Sequence, residues 1–117
     1  MIIAIDFDNT IVKSDYPIIL GMLPNARTAI NALYDAGHTI IINTCRVGKH
    51  LDVAVSYLKE HGIKYHYINE NVPGRIKEYG GDCRKISCDV LIDDKAYPFV
   101  KIDWVSIYMW FVNRGWA

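Results

Sequence analysis

The stretch on which the reading turns is MIIAIDFDNTIV, Met1–Val12. Ile2, Ile3, Ala4 and Ile5 form an unbroken apolar run that lacks the polar alternation of a half-exposed strand. Such a run fits a strand buried on both faces, as in a parallel sheet. It ends in Asp6, and Asp8 and Thr10 follow at alternate positions. Two carboxylates this close at the end of a buried strand repel each other unless a cation lies between them or one carries a proton. In an extended backbone both point the same way. A chain turning out of the sheet then presents both to one small volume.

The pattern recurs along the chain. Pro24 to Ala36 reads as a helix, with Asn25 placed to cap it, Ala26, Ala29, Ile30 and Leu33 on one face, and Gly37 at its end. His38 to Asn43 (HTIIIN) is a second buried strand. Lys49 to Glu60 is a second helix, with Leu51, Val55 and Leu58 on one face. Ile63 to Ile68 is a third, more polar strand, and DVLI (Asp89 to Ile92) a fourth, ending at Asp93 and Asp94. Asp8 to Leu23 reads as a loop with an apolar centre. Val72 to Gly81 holds a helical turn around Arg75 to Glu78. A last helix starts near Asp103 and turns Trp104 and Phe111 inward, which leaves Trp110 and Trp116 as candidates for a partner surface in a homo-oligomer.

Strands alternating with helices predict an α/β fold: a three-layer, doubly wound, Rossmann-like parallel sheet. Right-handed crossovers place the C-terminal end of every strand on one edge, where ligands bind in such folds. Asp6, Thr44 and Asp93 each lie at or just past a strand end and are therefore expected to meet.

The bulk properties narrow the function. The 117 residues suffice for a single domain, 1–117, and a hydrophobic share of 51% is enough for a packed core. Thirteen basic side chains balance thirteen acidic ones, so nothing in the net charge asks for nucleic acid or an acidic membrane. Cys45, Cys83 and Cys88 make an odd set with neither disulfide-framework nor zinc spacing, as expected of reduced thiols in a cytoplasmic protein. No basic segment precedes the first apolar run, as a secretory signal would require, and no apolar stretch is long enough to span a membrane. His38, His50, His61 and His66 lack ligand spacing and read as surface or helix-end residues. Asn69 and Asn71 read as turn residues bonded to their own backbone.

Asp6, Asp8, Asp93 and Asp94 gather four negative charges at one rim. Hard oxygen donors of this kind suit magnesium, which binds through a few carboxylates and a phosphate. One carboxylate can attack phosphorus while the other hands a proton to the leaving oxygen and later takes one from water. The hydroxyl and backbone N–H groups at Thr44 suit a phosphate oxygen, and Arg46 adds a bidentate fork. A further cation is needed against the transferring phosphoryl group. Lys85 is the first choice and Lys77 the second.

IAIDFDNT, the INT ending in Thr44, a following basic residue and VLIDD resemble, in that order, the motifs of the haloacid dehalogenase superfamily of phosphohydrolases. The resemblance spans Ile2 to about Lys95 and is to a short bacterial or phage-type member with no cap domain. It implies a magnesium-dependent phosphatase in which Asp6 is the nucleophile that becomes an aspartyl-phosphate and Asp8 the general acid and base. It also implies a magnesium site made by the Asp6 carboxylate, the Asp8 carbonyl, Asp93 and Asp94. Thr44 and a lysine would bind phosphate. An open, capless site suits either a phosphorylated small molecule or a phosphorylated macromolecule. Two other functions fit parts of the pattern. One is a phosphate- and metal-binding regulatory relic of the fold. The other is a phospho-accepting receiver domain, whose acid pair comes first and whose phospho-acceptor follows a middle strand, the reverse of the order here.

Overall fold

The computed structural model describes residues 1–98 and 101–117. Its elements run β1 (Ile2–Ile5), β2 (Val12–Asp15), β3 (Ile18–Met22), α1 (Ala26–Asp35), β4 (Thr39–Ile42), α2 (Gly48–Glu60), β5 (Tyr67–Ile68), α3 (Pro73–Tyr79), β6 (Val90–Ile92) and α4 (Trp104–Asn113). Four strands form one parallel sheet in the order β5-β4-β1-β6. The chain steps outward from β1 to β4 to β5, then returns to the other flank of β1 as β6. β1 and β6 therefore leave the sheet side by side, with Ala4 level with Leu91 and Ile5 with Ile92. The ladder continues one residue further: the Asp6 N–H donates to the Ile92 carbonyl at 2.9 Å and the Asn43 N–H to the Ile5 carbonyl at 2.8 Å.

Alternation along β1 and β4 separates two faces. Ile3, Ile5, Ile40 and Ile42 form one cluster with Ala26, Ala29, Ile30 and Leu33 of α1, Ala54 and Leu58 of α2, and Trp104 and Phe111 of α4. Trp104 and Phe111 thus turn inward as their spacing predicts. Ala4 and Ile41 are equally buried but lie outside that cluster, on the opposite face. That face is covered lightly: the Cys88 side chain contacts the Ala4 backbone, while Leu91 stays 49% exposed. Among the described residues no helix is long and apolar enough to cross a membrane.

The segment read as a loop from Asp8 to Leu23 is instead largely an antiparallel hairpin, β2 paired with β3. The reason is visible in its burial. Ile18 and Leu20 face outward, 60% and 57% exposed, so the apolar residues do not mark a core face and the period-2 signal misleads. The third strand shrinks from Ile63–Ile68 to Tyr67–Ile68. Ile63 still belongs to the close of α2, its N–H donating to the Leu58 carbonyl, and His66 bonds Ile40 N–H through its ring Nδ1 rather than its carbonyl. The turn around Arg75 lengthens to the seven-residue α3. Asn25 does stand at the start of α1, but in a left-handed conformation with no side-chain cap. Asp103 caps α4, accepting from the Val105 and Ser106 N–H groups.

Candidate functional site

β1 ends into a tight turn. The Phe7 carbonyl accepts from the N–H groups of Thr10, Ile11 and Val12 at 3.3, 2.9 and 3.2 Å, and Asn9 turns the chain with a φ of 58°. Asparagine tolerates this left-handed backbone better than most residues. Within the turn Thr10 is fully buried. Its hydroxyl donates to Asp6 Oδ2 at 3.0 Å and accepts from the Asp94 N–H at 3.0 Å. The Trp104 indole N–H donates to the Thr10 carbonyl at 2.8 Å, fixing the turn against α4. One threonine thereby joins the ends of β1 and β6, whose acids are separated by more than eighty residues.

Asp6, Asp93 and Asp94 meet as their strand-end positions predict. One carboxylate oxygen from each lies within 4.8 Å of the others. Among the described residues no lysine or arginine makes an ion pair with any of the three. Burial and then the Asp93 charge push the Asp6 carboxyl from its ordinary 3.8 up to about 7, with Asp94 adding to the shift and the Thr10 hydrogen bond opposing it. The cluster is thus short of positive charge.

Asp8 behaves differently. Its carboxylate is outside the three-acid group and is gripped by Arg46, Nε to Oδ2 at 2.9 Å and Nη2 to Oδ1 at 2.7 Å, with the Ser14 hydroxyl donating to Oδ1 at 2.6 Å. Burial tends to raise the Asp8 carboxyl, but the Arg46 and Ser14 hydrogen bonds and the Arg46 charge outweigh it and hold the group below the ordinary carboxylate value. Two expectations are corrected here. The expected rim of four acids is three, because the Asp8 carboxylate turns to Arg46; the Asp8 carbonyl, the atom the resemblance implies as a ligand, is unaffected. Arg46 is not a free phosphate fork: it is fully buried, and its remaining bonds go to the Pro17 carbonyl at 3.0 Å and the His50 carbonyl at 3.1 Å. The Phe7 and Tyr16 rings lie over it, 5.3 and 5.2 Å from the guanidinium carbon.

Thr44 follows β4, half-buried on the same edge of the sheet. Its N–H donates to Asn69 Oδ1 at 2.8 Å and its hydroxyl oxygen accepts from the Arg46 N–H at 3.2 Å. The hydroxyl donates to no described residue. Lys85 lines a cavity of about 640 Å³ together with Asn43, Arg84, Ser87, Cys88 and Leu91; Lys77 is not among the lining residues. Asn43 and Leu91 lie on the sheet face to which strand alternation also assigns Asp6 and Asp93.

Several supporting residues escape sequence reasoning. Ser14 holds Asp8, Trp104 holds Thr10, and Asn69 braces Thr44 across the sheet rather than bonding its own turn. Asn71 is buried and ties the segment before β6, with its Oδ1 accepting from the Ser87 N–H and its amide donating to the Cys83 carbonyl. His38 is not a surface residue: it is 7% exposed and bonded to the Trp116 carbonyl. Trp110 and Trp116 remain partly exposed, stacked edge to face at 5.5 Å.

Fold and site together define a small α/β domain with a three-carboxylate cluster at the C-terminal edge of a parallel sheet. A conserved protein from Bacteroides thetaiotaomicron has a similar structure, with a TM-score of 0.84 and 32% identity over 98% of this chain and 91% of that one. At that identity and coverage the two chains belong to one family. No protein-family model matches the sequence, and no curated protein is similar to it.

Proposed function

We propose that the protein is a phosphohydrolase of haloacid dehalogenase type, with a doubly wound, capless domain, acting through an aspartyl-phosphate on Asp6. The reading is supported by one observation: Asp6, Asp93 and Asp94, from opposite ends of the sequence, converge at the ends of adjacent strands, and among the described residues no lysine or arginine pairs with them. The donor set suits magnesium, all hard carboxylate oxygens close enough to share one ion. Asp6, Asp93 and Asp94 would hold it, with the Asp8 carbonyl. When bound, the ion supplies positive charge against the phosphoryl oxygens.

In this reading an Asp6 oxygen attacks phosphorus and the bond to the leaving oxygen breaks. Asp8, which Arg46 holds ionised, relays to that oxygen a proton that the substrate brings. Phosphate monoesters carry a second pKa near about 6, so part of the substrate brings a proton into the site. Water then attacks the phosphorus of the acyl phosphate, and Asp8, held ionised by Arg46, takes its proton. Inorganic phosphate leaves and the Asp6 carboxylate is restored. Thr44 and Lys85 bind the phosphoryl oxygens. Substrates are phosphorylated small molecules or the phosphorylated end of a macromolecule.

The test is hydrolysis of p-nitrophenyl phosphate with magnesium and with chelator, beside Asp6→Asn. Turnover is expected only with magnesium, and the variant is expected to lose at least about 1,000-fold in kcat. Equal turnover by wild type and variant would overturn the mechanism. The Arg46 grip on Asp8 favours one other reading, a binding protein that takes phosphate and magnesium without turnover. In that case magnesium would raise the melting temperature of a folded protein that hydrolyses no ester.

A further inference from the structure

Arg46 ties together the surroundings of Asp8. Its guanidinium is fully buried, and its four hydrogen bonds reach three separate pieces of chain: the turn after β1 through Asp8, the tip of the β2–β3 hairpin through the Pro17 carbonyl, and the start of α2 through the His50 carbonyl. The planar fork matches both oxygens of one carboxylate, so it fixes the plane of Asp8 as well as its distance. Tyr16, at the hairpin tip, lays its ring over the same guanidinium while remaining 57% exposed. Ser14, on the same hairpin, holds the Asp8 oxygen that Nη2 also holds. The hairpin therefore meets Asp8 at two points, directly through Ser14 and indirectly through Arg46.

We infer that Arg46 is the positioning residue for Asp8, and that the β2–β3 hairpin sets, through Arg46 and Ser14, how Asp8 is aimed at the leaving oxygen. This rests on the phosphatase reading. In the first half-reaction the phosphorus–oxygen bond to the leaving group breaks as Asp8 relays the substrate's proton to that oxygen. An alkoxide leaving group needs that proton; a nitrophenolate hardly does. A misaimed Asp8 therefore slows the departure of alkoxide leaving groups selectively, while any effect on the later attack by water is common to both esters. A loss of fold, of magnesium or of Asp6 slows both ester classes alike. The ratio of the two rates separates aim from general damage.

The experiment compares kcat/KM, which reports the steps up to departure of the leaving group, for an alkyl phosphate and for p-nitrophenyl phosphate in the wild type, Arg46→Lys and Tyr16→Ala, with magnesium saturating. Lysine keeps the charge and loses the fork. Arg46→Lys is expected to lose at least about 100-fold on the alkyl ester, the size of a general acid's contribution, and no more than about fivefold on the aryl ester. Tyr16→Ala alters only an exposed ring and serves if the buried substitution prevents folding. It is expected to show the same selectivity at roughly a tenth of the size. Equal losses on the two esters, or no loss, in a folded Arg46→Lys would overturn the inference and leave the phosphatase standing; if Arg46→Lys does not fold, the same result in Tyr16→Ala would do so. No turnover of either ester by folded wild type would remove the phosphatase reading and this inference with it.

Discussion

Asp6 and Asp8 are two residues apart in one turn, yet the chain gives them opposite surroundings. Asp6 sits beside Asp93 and Asp94, and its carboxyl is pushed up to about 7. Asp8 faces a buried guanidinium and is held below its ordinary value. Neither outcome follows from residue type. It follows from which strand end or loop each side chain meets: β6 brings acids to Asp6, and the loop after β4 brings a base to Asp8. Pairs of carboxyls whose environments drive their affinities for protons apart are how one site assigns different roles to the same chemistry. Here the pocket short of positive charge is where the proposed mechanism puts a cation, and the balanced pair is where it puts the acid and base.

The sharpest way to break this contrast is to neutralise each acid in turn and melt the protein in chelator at pH 8. Asp8→Asn leaves the Arg46 charge buried without its partner. Breaking a buried pair in this way costs roughly 3 kcal/mol, which lowers the melting temperature by about 10 °C or more in a domain of this size. Asp6→Asn removes repulsion from the three-acid cluster and is expected to raise the melting temperature. Opposite signs from isosteric substitutions two residues apart would be hard to obtain any other way. Shifts of the same sign would mean that the acid cluster is already balanced without a metal.

A second test concerns the cation that serves the Asp6 side, as Arg46 serves Asp8. Lys85 lines the cavity on the Asp6 face of the sheet and Lys77 does not. Lys85→Ala is expected to lose about 10- to 100-fold in kcat/KM on p-nitrophenyl phosphate, in the range found for single charge-stabilising donors or somewhat below it. Lys77→Ala is expected to stay within about twofold of wild type. A larger loss in Lys77→Ala would move the phosphate-binding lysine to α3.

Much of the acid cluster was legible in the sequence, because buried parallel strands announce themselves as apolar runs and their ends must share an edge. Asp6 and Asp93 needed only that rule to be placed together, and Asp94 follows from its neighbour. The Asp8–Arg46 pair was not legible. An arginine two residues past Thr44 has the same local pattern whether it faces a phosphate or a carboxylate from another loop, and the deciding contact spans 38 residues. The hairpin was missed for a related reason. Ile18 and Leu20 are apolar yet point to solvent, so their hydrophobicity does not mark a strand packed on the core, and the residues that matter there, Ser14 and Pro17, act through a hydroxyl and a backbone carbonyl. Tertiary contacts between polar groups leave little trace in local composition. Burial of apolar strands leaves a strong one.

The smallest expected effect is also the most diagnostic of the Asp6 side. A carboxyl bound more tightly to its proton in the folded state than in the unfolded one stabilises the fold fully below its ordinary value near 3.8, and that contribution is lost as pH rises through about 7. In chelator, the Asp6 contribution therefore falls between about pH 4 and pH 7. Asp8, with its affinity lowered, contributes above the ordinary value and loses that contribution only in stronger acid, so the two groups act in separate windows. Magnesium and the proton compete for Asp6, and a ligand that binds the folded state raises its stability in proportion to the logarithm of its occupancy ratio. The rise in melting temperature on adding magnesium is accordingly expected to be larger at pH 8 than at pH 5.5, with a gap of a few degrees. Asp6→Asn, which has no carboxyl to titrate there, should shrink that gap. A magnesium shift equal at both pH values in the wild type would mean that the ion does not bind at Asp6, and would separate the acid cluster from the metal assigned to it.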